Sequence, residues 1–409
     1  MLLGKICSRV ETIDVIYTIS FLDLFAVGLT FPLFATFLRD LGSSHSTIGL
    51  LSATYSGIQV LSGPLIGSWS DIRDRKTVLK TTLLICAFCY GLLGATNSVV
   101  CIFFLRIVLG IVKHTQTICK AMITDLIPRK KQSETFGKSA SLASLGFIIG
   151  PFVGGNLSEL KHGFTYVSIL TAGIFSINYG IACLLPETTR REKTENISIL
   201  KSVKKEFGKT VKELVDCDWQ EHWDTFLLKF LMGLTMGCYF TNQAIYLRET
   251  YQMSQKHIGY MISFFSMIGM ISGFCINKIN SLYKADSIFT RLCHNFAIMT
   301  FSFFGVYLSP NLFVFLLLLL PLAFSATALR VGSMELMFSK SEKLHRGSLS
   351  GTSNSIMSVA RFLTPLVTGF TSDILSEQSV MLVAVFPASL GLLLSWLMKR
   401  KHKIIVKNK

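Results

Sequence analysis

The chain has 409 residues, of which 50% are hydrophobic and only 16% charged, against about 25% charged in an ordinary soluble domain. Its formal net charge is nonetheless +16, from 40 Lys+Arg against 24 Asp+Glu, and its mean hydropathy is +0.51. That composition excludes disorder and leaves too little polar surface for a soluble fold, so the basic excess either binds nucleic acid or labels one side of a membrane protein.

A helix crosses a bilayer with roughly 20 mostly apolar residues. Twelve such stretches succeed one another, at about 14–38, 46–68, 78–96, 99–123, 137–158, 163–185, 225–247, 257–277, 286–308, 311–335, 349–373 and 378–398. They predict an all-α polytopic membrane protein. The connections are short except for residues 186–224, which carry eight Lys/Arg. The expected organisation is a six-helix half over 1–185, a linker over 186–224, a second six-helix half over 225–398 and a basic tail over 399–409.

Most of the basic residues fall in the N-terminus, in the loops after spans two, four, eight and ten, in the linker and in the tail. The opposite loops hold Arg39, Lys161, Arg248 and Lys256. The positive-inside rule then places both termini and the linker in the cytosol. The bases become a topological label, and the expected partner is the lipid bilayer, not nucleic acid. The tail is positioned to touch anionic lipid. Arg9, Glu11 and Asp14 interrupt the start, so no cleavable signal is expected. The sequon Asn196-Ile-Ser198 lies on the cytosolic side and is expected to be unused. Cys86-Ala-Phe-Cys89 has metal spacing but sits in an apolar span without a second pair or a His, so packing is expected and neither metal nor cofactor. The chain shows no HExxH, Gly-x-Ser-x-Gly or Walker loop, which argues against an enzyme and an ATP-driven pump.

The second half echoes the first. Ile48-Gly49 with Ser62-Gly63 matches Ile258-Gly259 with Ser272-Gly273, and Gly137, Ser141, Pro151 and Gly155 match Gly351, Ser355, Pro365 and Gly369. The offsets are 210 and 214, so spans two and eight, and five and eleven, share one register. Parallel repeats of this kind mark the two halves of secondary transporters, with a site near the bilayer midplane.

Three motifs carry a resemblance. Gly67-Ser-Trp-Ser-Asp71-Ile-Arg73-Asp74-Arg75-Lys76 follows span two, Arg106-Ile-Val-Leu-Gly110 lies in span four, and Gly146-Phe-Ile-Ile-Gly150-Pro151-Phe-Val-Gly154-Gly155 lies in span five. Together they resemble the major facilitator superfamily, the last in the form associated with its antiporters. Ile72 and Asp74 depart from the pattern, which has a basic residue and a glycine there. Phe21-Leu-Asp23-Leu-Phe25, Gly110-Ile-Val-Lys113-His114-Thr115 and Thr124-Asp125-Leu-Ile-Pro128 are similar to an orphan solute carrier related to the tetracycline-exporter and organic-cation-exporter branch. The resemblance implies a twelve-helix monomer working by alternating access, in which spans one, four, seven and ten line the cavity. It also implies a conformational gate in which Asp71 meets the positive end of span eleven and Asp125 meets Arg73 or Arg75. An acid at a helix N-terminus gains about 0.3–1 kcal/mol. Gly146, Gly150 and Gly154 share one helix face and let a neighbour approach closely, while Pro151 permits a bend. They form either a hinge or a tight packing seam.

Charges inside the membrane are the most informative residues, since each costs about 2.5–3.5 kcal/mol even on insertion scales. They are Asp23 in span one, Arg106 and Lys113 in span four, Arg330 in span ten and Arg361 in span eleven. Apart from Lys80 at the edge of span three, spans three, six and twelve lack internal Asp, Glu, Lys or Arg, which agrees with the implied layout. Arg106 and Lys113 are seven apart and fall on nearly one face of a continuous helix. Asp23 is the expected proton-coupling group, tuned by burial and a nearby cation. The alternatives are a static pair holding two helices together, or His114 as proton carrier. Lys138, Lys229, Arg291 and His294 lie within two turns of cytosolic ends and are expected to snorkel. Gln59, Tyr55, Asn242, Gln243 and Tyr239 are uncharged groups available either to packing or to a solute. The expected function is proton-coupled movement of a small organic solute. The competing reading is a non-transporting scaffold or receptor derived from a carrier.

Overall fold

The computed structural model describes residues 2–186, 208, 218–283, 288–340 and 346–407. Most of the expected linker, including its sequon, lies outside the described residues. All the described regular structure is helical: α1 Leu2–Asp40, α2 His45–Ile72, α3 Arg75–Ala95, α4 Val99–Val112, α5 Thr115–Leu126, α6 Arg129–Ser158, α7 Gly163–Cys183, α8 Trp219–Tyr251, α9 Gln255–Asn280, α10 Ile288–Leu308, α11 Leu312–Ser339, α12 Arg346–Ile374 and α13 Glu377–Lys407, with a 3-10 turn at Ser281–Tyr283. Helices suit a bilayer because each satisfies its own backbone hydrogen bonds. Among the described residues, eight helical segments, one of them running across α4 and α5, are long and apolar enough to cross a membrane by length and composition: Thr12–Asp40, Arg75–Ala95, Val99–Leu126, Arg129–Ser158, Gly163–Cys183, Gln255–Ile276, Leu312–Ser339 and Glu377–Ile404.

Local chemistry fixes many helix starts. Asp74, Ser98, Asp218 and Asn311 each accept a hydrogen bond from the backbone N–H three residues on, at the starts of α3, α4, α8 and α11. Asp74, the acid that departs from the family pattern, therefore serves as an N-cap. After α1 the chain turns at Gly42, whose φ is +81°, a conformation that costs glycine nothing. Lys399 to Lys407, expected as a separate tail, continue α13.

The chain forms two compact units. The first comprises Met1–Gly42, Thr54–Lys209 and Ser254–Phe264; the second comprises Ser43–Ala53, Thr210–Met253 and Phe265–Lys409. In the first, α1 packs along α6 and α7, and α3 along α7, α4 and α5. In the second, α8 packs against α11, α12 and α13, and α10 against α11 and α13. The opening turns of α2 thus count with the second unit, and those of α9 with the first.

One expectation fails at a telling place. The sequence predicted a continuous helix over 99–123, but the helix stops at Val112 and restarts at Thr115. Lys113 has ψ 70° and His114 ψ 22°, so the ladder is interrupted just after the Lys113 N–H, which still donates to the Leu109 carbonyl at 2.9 Å. Neither is Gly or Pro. The Lys113 carbonyl, freed from the ladder, accepts from Gln59 Nε2 on α2 at 2.9 Å. A cross-helix bond therefore supplies what the broken helix gives up.

Candidate functional site

The break presents Lys113 to Asp23 on α1. Lys113 Nζ donates to Asp23 Oδ1 in a short contact, and Gln116 Nε2 donates to Asp23 Oδ2 at 3.0 Å and to the Ser20 carbonyl at 2.9 Å. Asp23 is 0% and Lys113 7% exposed, so the pair is shielded from solvent. The ammonium also lies 5.1 Å from the centre of the Phe175 ring. Both Asp23 oxygens are engaged, as a buried carboxylate requires. Gln116 was missed in the sequence; its signal is a polar side chain three residues after Lys113, on the same side of the restarted helix.

His114 turns the other way. Its Nε2 lies 2.8 Å from Ser62 Oγ, and that hydroxyl also lies 2.9 Å from the Gly110 carbonyl. The imidazole is buried and hydrogen-bonded between α2 and α4. It belongs to the same break as Lys113 but faces away from the carboxylate.

Arg106 does not join the pair. Its guanidinium stacks between Phe34 and Tyr55, with ring centres at 3.8 and 4.6 Å, and its buried Nε has no hydrogen-bond partner among the described residues. Gly110 is where α4 meets α2: a Cβ there would stand 3.1 Å from Ile58 side-chain atoms and the Tyr55 carbonyl. Arg330 and Arg361 lie on the second unit, both exposed. Arg361 Nη2 donates to Ser358 Oγ at 3.0 Å, one turn earlier on α12.

The expected gate residues meet around Arg75. Its Nη2 lies 2.7 Å from Asp71 Oδ1, its Nε 2.5 Å from Asp125 Oδ2, and its Nη1 donates to Ser70 Oγ at 2.9 Å. One guanidinium thus ties the end of α2 to the end of α5, using the fixed fork of arginine. Of the two arginines offered by the sequence, Arg75 makes this contact; Arg73 is exposed.

The glycine face of α6 lies on α1. A Cβ at Gly146 would overlap the Phe21 carbonyl, at Gly150 the Phe25 carbonyl and Gly28, and at Gly154 the Leu29 carbonyl. Pro151 sits beside Gly28, and its carbonyl faces Gly259 at the start of α9. Helix α6 runs unbroken through Pro151.

The sequence overlooked a cluster in the second unit. His45 Nδ1 lies 2.5 Å from Glu377 Oε1, and its Nε2 lies 3.8 Å from Glu249 Oε2. Asn242 Nδ2 donates to both Glu377 oxygens, at 3.2 and 2.9 Å, and to Ser372 Oγ at 3.0 Å. Asp373 receives the His45 and Ser46 backbone N–H groups at 2.9 and 2.8 Å. His45, Glu249 and Glu377 have the residue types of a metal site and ligand atoms within 4.8 Å of one another. Here, however, the two ring nitrogens face different carboxylates, which is the arrangement of an ion-pair bridge. Asn242 and Glu377 are engaged within the cluster, and Gln243 Nε2 donates to Tyr239 Oη at 2.7 Å.

Of the cations expected to snorkel, Lys229 departs from the expectation. Lys138 is exposed and pairs with Glu134 at 2.9 Å, and Arg291 reaches Glu335 at 2.6 Å. Lys229 is buried instead. A long stem reaches the interface only when neighbours leave it a path, and α11 and α12 close around this one.

Comparison with known proteins agrees with this architecture. The Major Facilitator Superfamily profile matches residues 16–365. The rat protein "solute carrier family 22 member 18" is 24% identical over 368 residues, covering 86% of this chain and 85% of that protein. The class H tetracycline resistance protein of Pasteurella multocida is 30% identical over 190 residues, covering 44% of this chain and 46% of that one. Among solved structures, a bacterial homologue of the human lysosomal transporter Spinster superposes with a TM-score of 0.80 at 13% identity, covering 96% of this chain and 97% of that one. A human organic anion transporter superposes with a TM-score of 0.65 at 20% identity, covering 95% and 99%. The all-helical build, the membrane-length apolar rods and the family match over residues 16–365 lead to one conclusion: the chain is a multi-pass membrane protein that belongs to the Major Facilitator Superfamily of transporters.

Proposed function

We propose that the protein is a secondary active transporter that exchanges a small organic solute for protons by alternating access, with Asp23 as the coupling carboxylate. The observation that carries this reading is the Asp23–Lys113 pair, closed off from solvent at the break between α4 and α5. A mid-membrane carboxylate is costly and persists where it does something. Its cation is mounted on the two residues that leave the helix, so a modest movement of Lys113 releases Asp23 for a proton. Gln116 keeps one oxygen engaged while the other exchanges partners. Under this reading Arg106, Arg330 and Arg361 offer positive charge to the solute, and His114 holds the break in register. Arg75 with Asp71 and Asp125 serves as the gate, with Arg73 beside it, and the seam at Gly146, Gly150, Pro151 and Gly154 serves as the hinge.

The proteins this chain resembles support a small organic solute without choosing its charge, since they include tetracycline and quinolone resistance proteins, a nucleoside transporter and an organic anion transporter. The loop charges support cytosolic termini, and a monomer needs no further element. The test has two stages. Metabolite comparison of knockout and overexpressing cells identifies candidate solutes, which are then offered to purified protein in proteoliposomes under an imposed pH gradient. Wild type is expected to move at least one against the proton gradient, and Asp23→Asn to lose proton-linked flux while remaining folded. Unchanged coupling in Asp23→Asn removes Asp23 from the role. Failure to bind or move any candidate favours the non-transporting alternative.

A further inference from the structure

Arg106 on α4 carries a charge at membrane depth that the helices around it do not match. Its guanidinium lies between the rings of Phe34 on α1 and Tyr55 on α2, with centres 3.8 and 4.6 Å away. Among the described residues it makes no hydrogen bond and no ion pair, and its Nε is buried without an acceptor. The side chain as a whole is half-buried, and its terminal nitrogens are not sealed as Nε is.

The acids on the neighbouring helices are engaged elsewhere. Asp23 on α1 holds Lys113 and Gln116, and Asp71 at the end of α2 holds Arg75. Glu11, Asp14 and Asp40 sit toward the two ends of α1. Helix α3, which packs along α4, bears cations and no acid. Asp125 on α5 is taken by Arg75. Asp23 and Lys113 cancel, so Arg106 is the uncompensated charge between α1, α2 and α4.

A guanidinium stays charged in a protein and directs five N–H donors outward in one plane. Aromatic rings satisfy its faces but accept nothing in that plane. Donors without acceptors cost free energy away from water, and an ionised group at membrane depth marks a substrate or ion path. The partner that fits a planar fork is a planar pair of oxygens sharing a negative charge, which is a carboxylate. The two rings fix the plane in which that partner must approach.

We propose that Arg106 is the anchoring site for an organic carboxylate, gripped through paired N–H···O contacts. The proposal rests on the transporter reading above and gives its solute a charge: an organic anion. Arg106 precedes Lys113 by seven residues, about 10 Å along a helix, so the solute anion and the coupling pair occupy separate places. Tyr55 and Gln59 on α2 stand between them. Gln59 Nε2 donates to Tyr55 Oη at 3.4 Å and to the Lys113 carbonyl at 2.9 Å. A carboxylate that shifts Tyr55 thus acts on the bond that holds the helix break.

The test is equilibrium binding to the full-length protein in nanodiscs of zwitterionic lipid, with binding to empty nanodiscs subtracted. The probes are benzoate, phenylacetate and indole-3-acetate, each beside its primary amide and the matching amine (benzylamine, phenethylamine, tryptamine). Wild type is expected to bind at least one carboxylate saturably, at least about tenfold more tightly than its amide and its amine. Arg106→Gln should weaken that carboxylate by at least about tenfold, and Arg106→Lys, which keeps the charge without the fork, should fall between the two. Lys138→Gln, which removes an exposed charge, should bind as wild type does. No saturable binding of any carboxylate, a smaller preference in wild type, or a smaller loss in Arg106→Gln overturns the proposal. Wild-type affinity in Arg106→Lys, or an equal loss in Lys138→Gln, also overturns it. The comparison of probes on wild type needs no variant, so it decides even where Arg106→Gln misfolds. Neither flux nor a pH gradient enters. A protein that binds the carboxylate but moves no solute keeps this site and loses the transporter reading, and unchanged coupling in Asp23→Asn leaves the site untouched.

Discussion

At the scale of single residues, the deciding fact is how the membrane-depth charges are partnered. Asp23 has Lys113 and Gln116, Arg106 has two aromatic faces, and Lys229 has a hydroxyl and two sulfurs. Removing one member of a buried pair leaves an uncompensated charge and costs about 3–5 kcal/mol, whereas replacing both with apolar or neutral groups costs far less. Lys113→Met should therefore lower the melting temperature by several degrees in detergent, and Asp23→Asn/Lys113→Met should recover more than half of that loss. A double variant as unstable as the sum of the singles counts against direct coupling of the two side chains. The sequence exposed both residues, because a charge in an apolar span stands out against its neighbours. It could not show that Lys113, rather than Arg106, is the partner, since that depends on a helix break with no Gly or Pro to announce it.

At the scale of elements, the seam between α1 and α6 shows how spacing becomes packing. Three glycines four residues apart bring the α6 backbone against the carbonyls of Phe21, Phe25 and Leu29. Backbone cannot step aside as a side chain can, so Gly146→Ala should destabilise by roughly 1–3 kcal/mol, the usual cost of overpacking. Gly137 lies on the same helix, and a Cβ there meets nothing within 4 Å. Gly137→Ala should be neutral or stabilising by up to about 1 kcal/mol, through helix propensity alone. Paired thermal melts of the two variants check the contrast, and equal effects would show that the seam is not under steric control. The spacing was legible in the sequence, but which helix fills the groove was not. The opposite case is α4 and α5, where the predicted single helix is divided at Lys113 and His114. Gln59 from α2 and Asp23 from α1 hold the division open, and no local pattern could announce bonds from helices so distant in sequence.

At the scale of the whole molecule, charge distribution sets the topology. The loops assigned to the cytosol hold most of the 40 Lys+Arg, and such asymmetry orients a polytopic chain. Both termini should then face the cytosol, and Asn196 should carry no glycan. Fluorescent fusions at each terminus, quenched from outside in sealed cells, check the first expectation. Gel mobility before and after glycosidase checks the second, and a mobility shift that Asn196→Gln abolishes would place the linker on the other face.

The +16 charge, the succession of apolar stretches and the repeat offset of about 210 residues determined by themselves that this is a two-part helical membrane protein. Those are properties of how chain meets solvent, bilayer and translocation machinery, and each is written locally along the sequence. Partnership was decided only by the tertiary structure. It paired Asp23 with Lys113 across 90 residues, brought Glu377 to His45 and sealed in Lys229, which the sequence expected to snorkel. A side chain's chemistry in a low-dielectric interior depends on what lies within a few ångströms, and packing between distant segments chooses those neighbours.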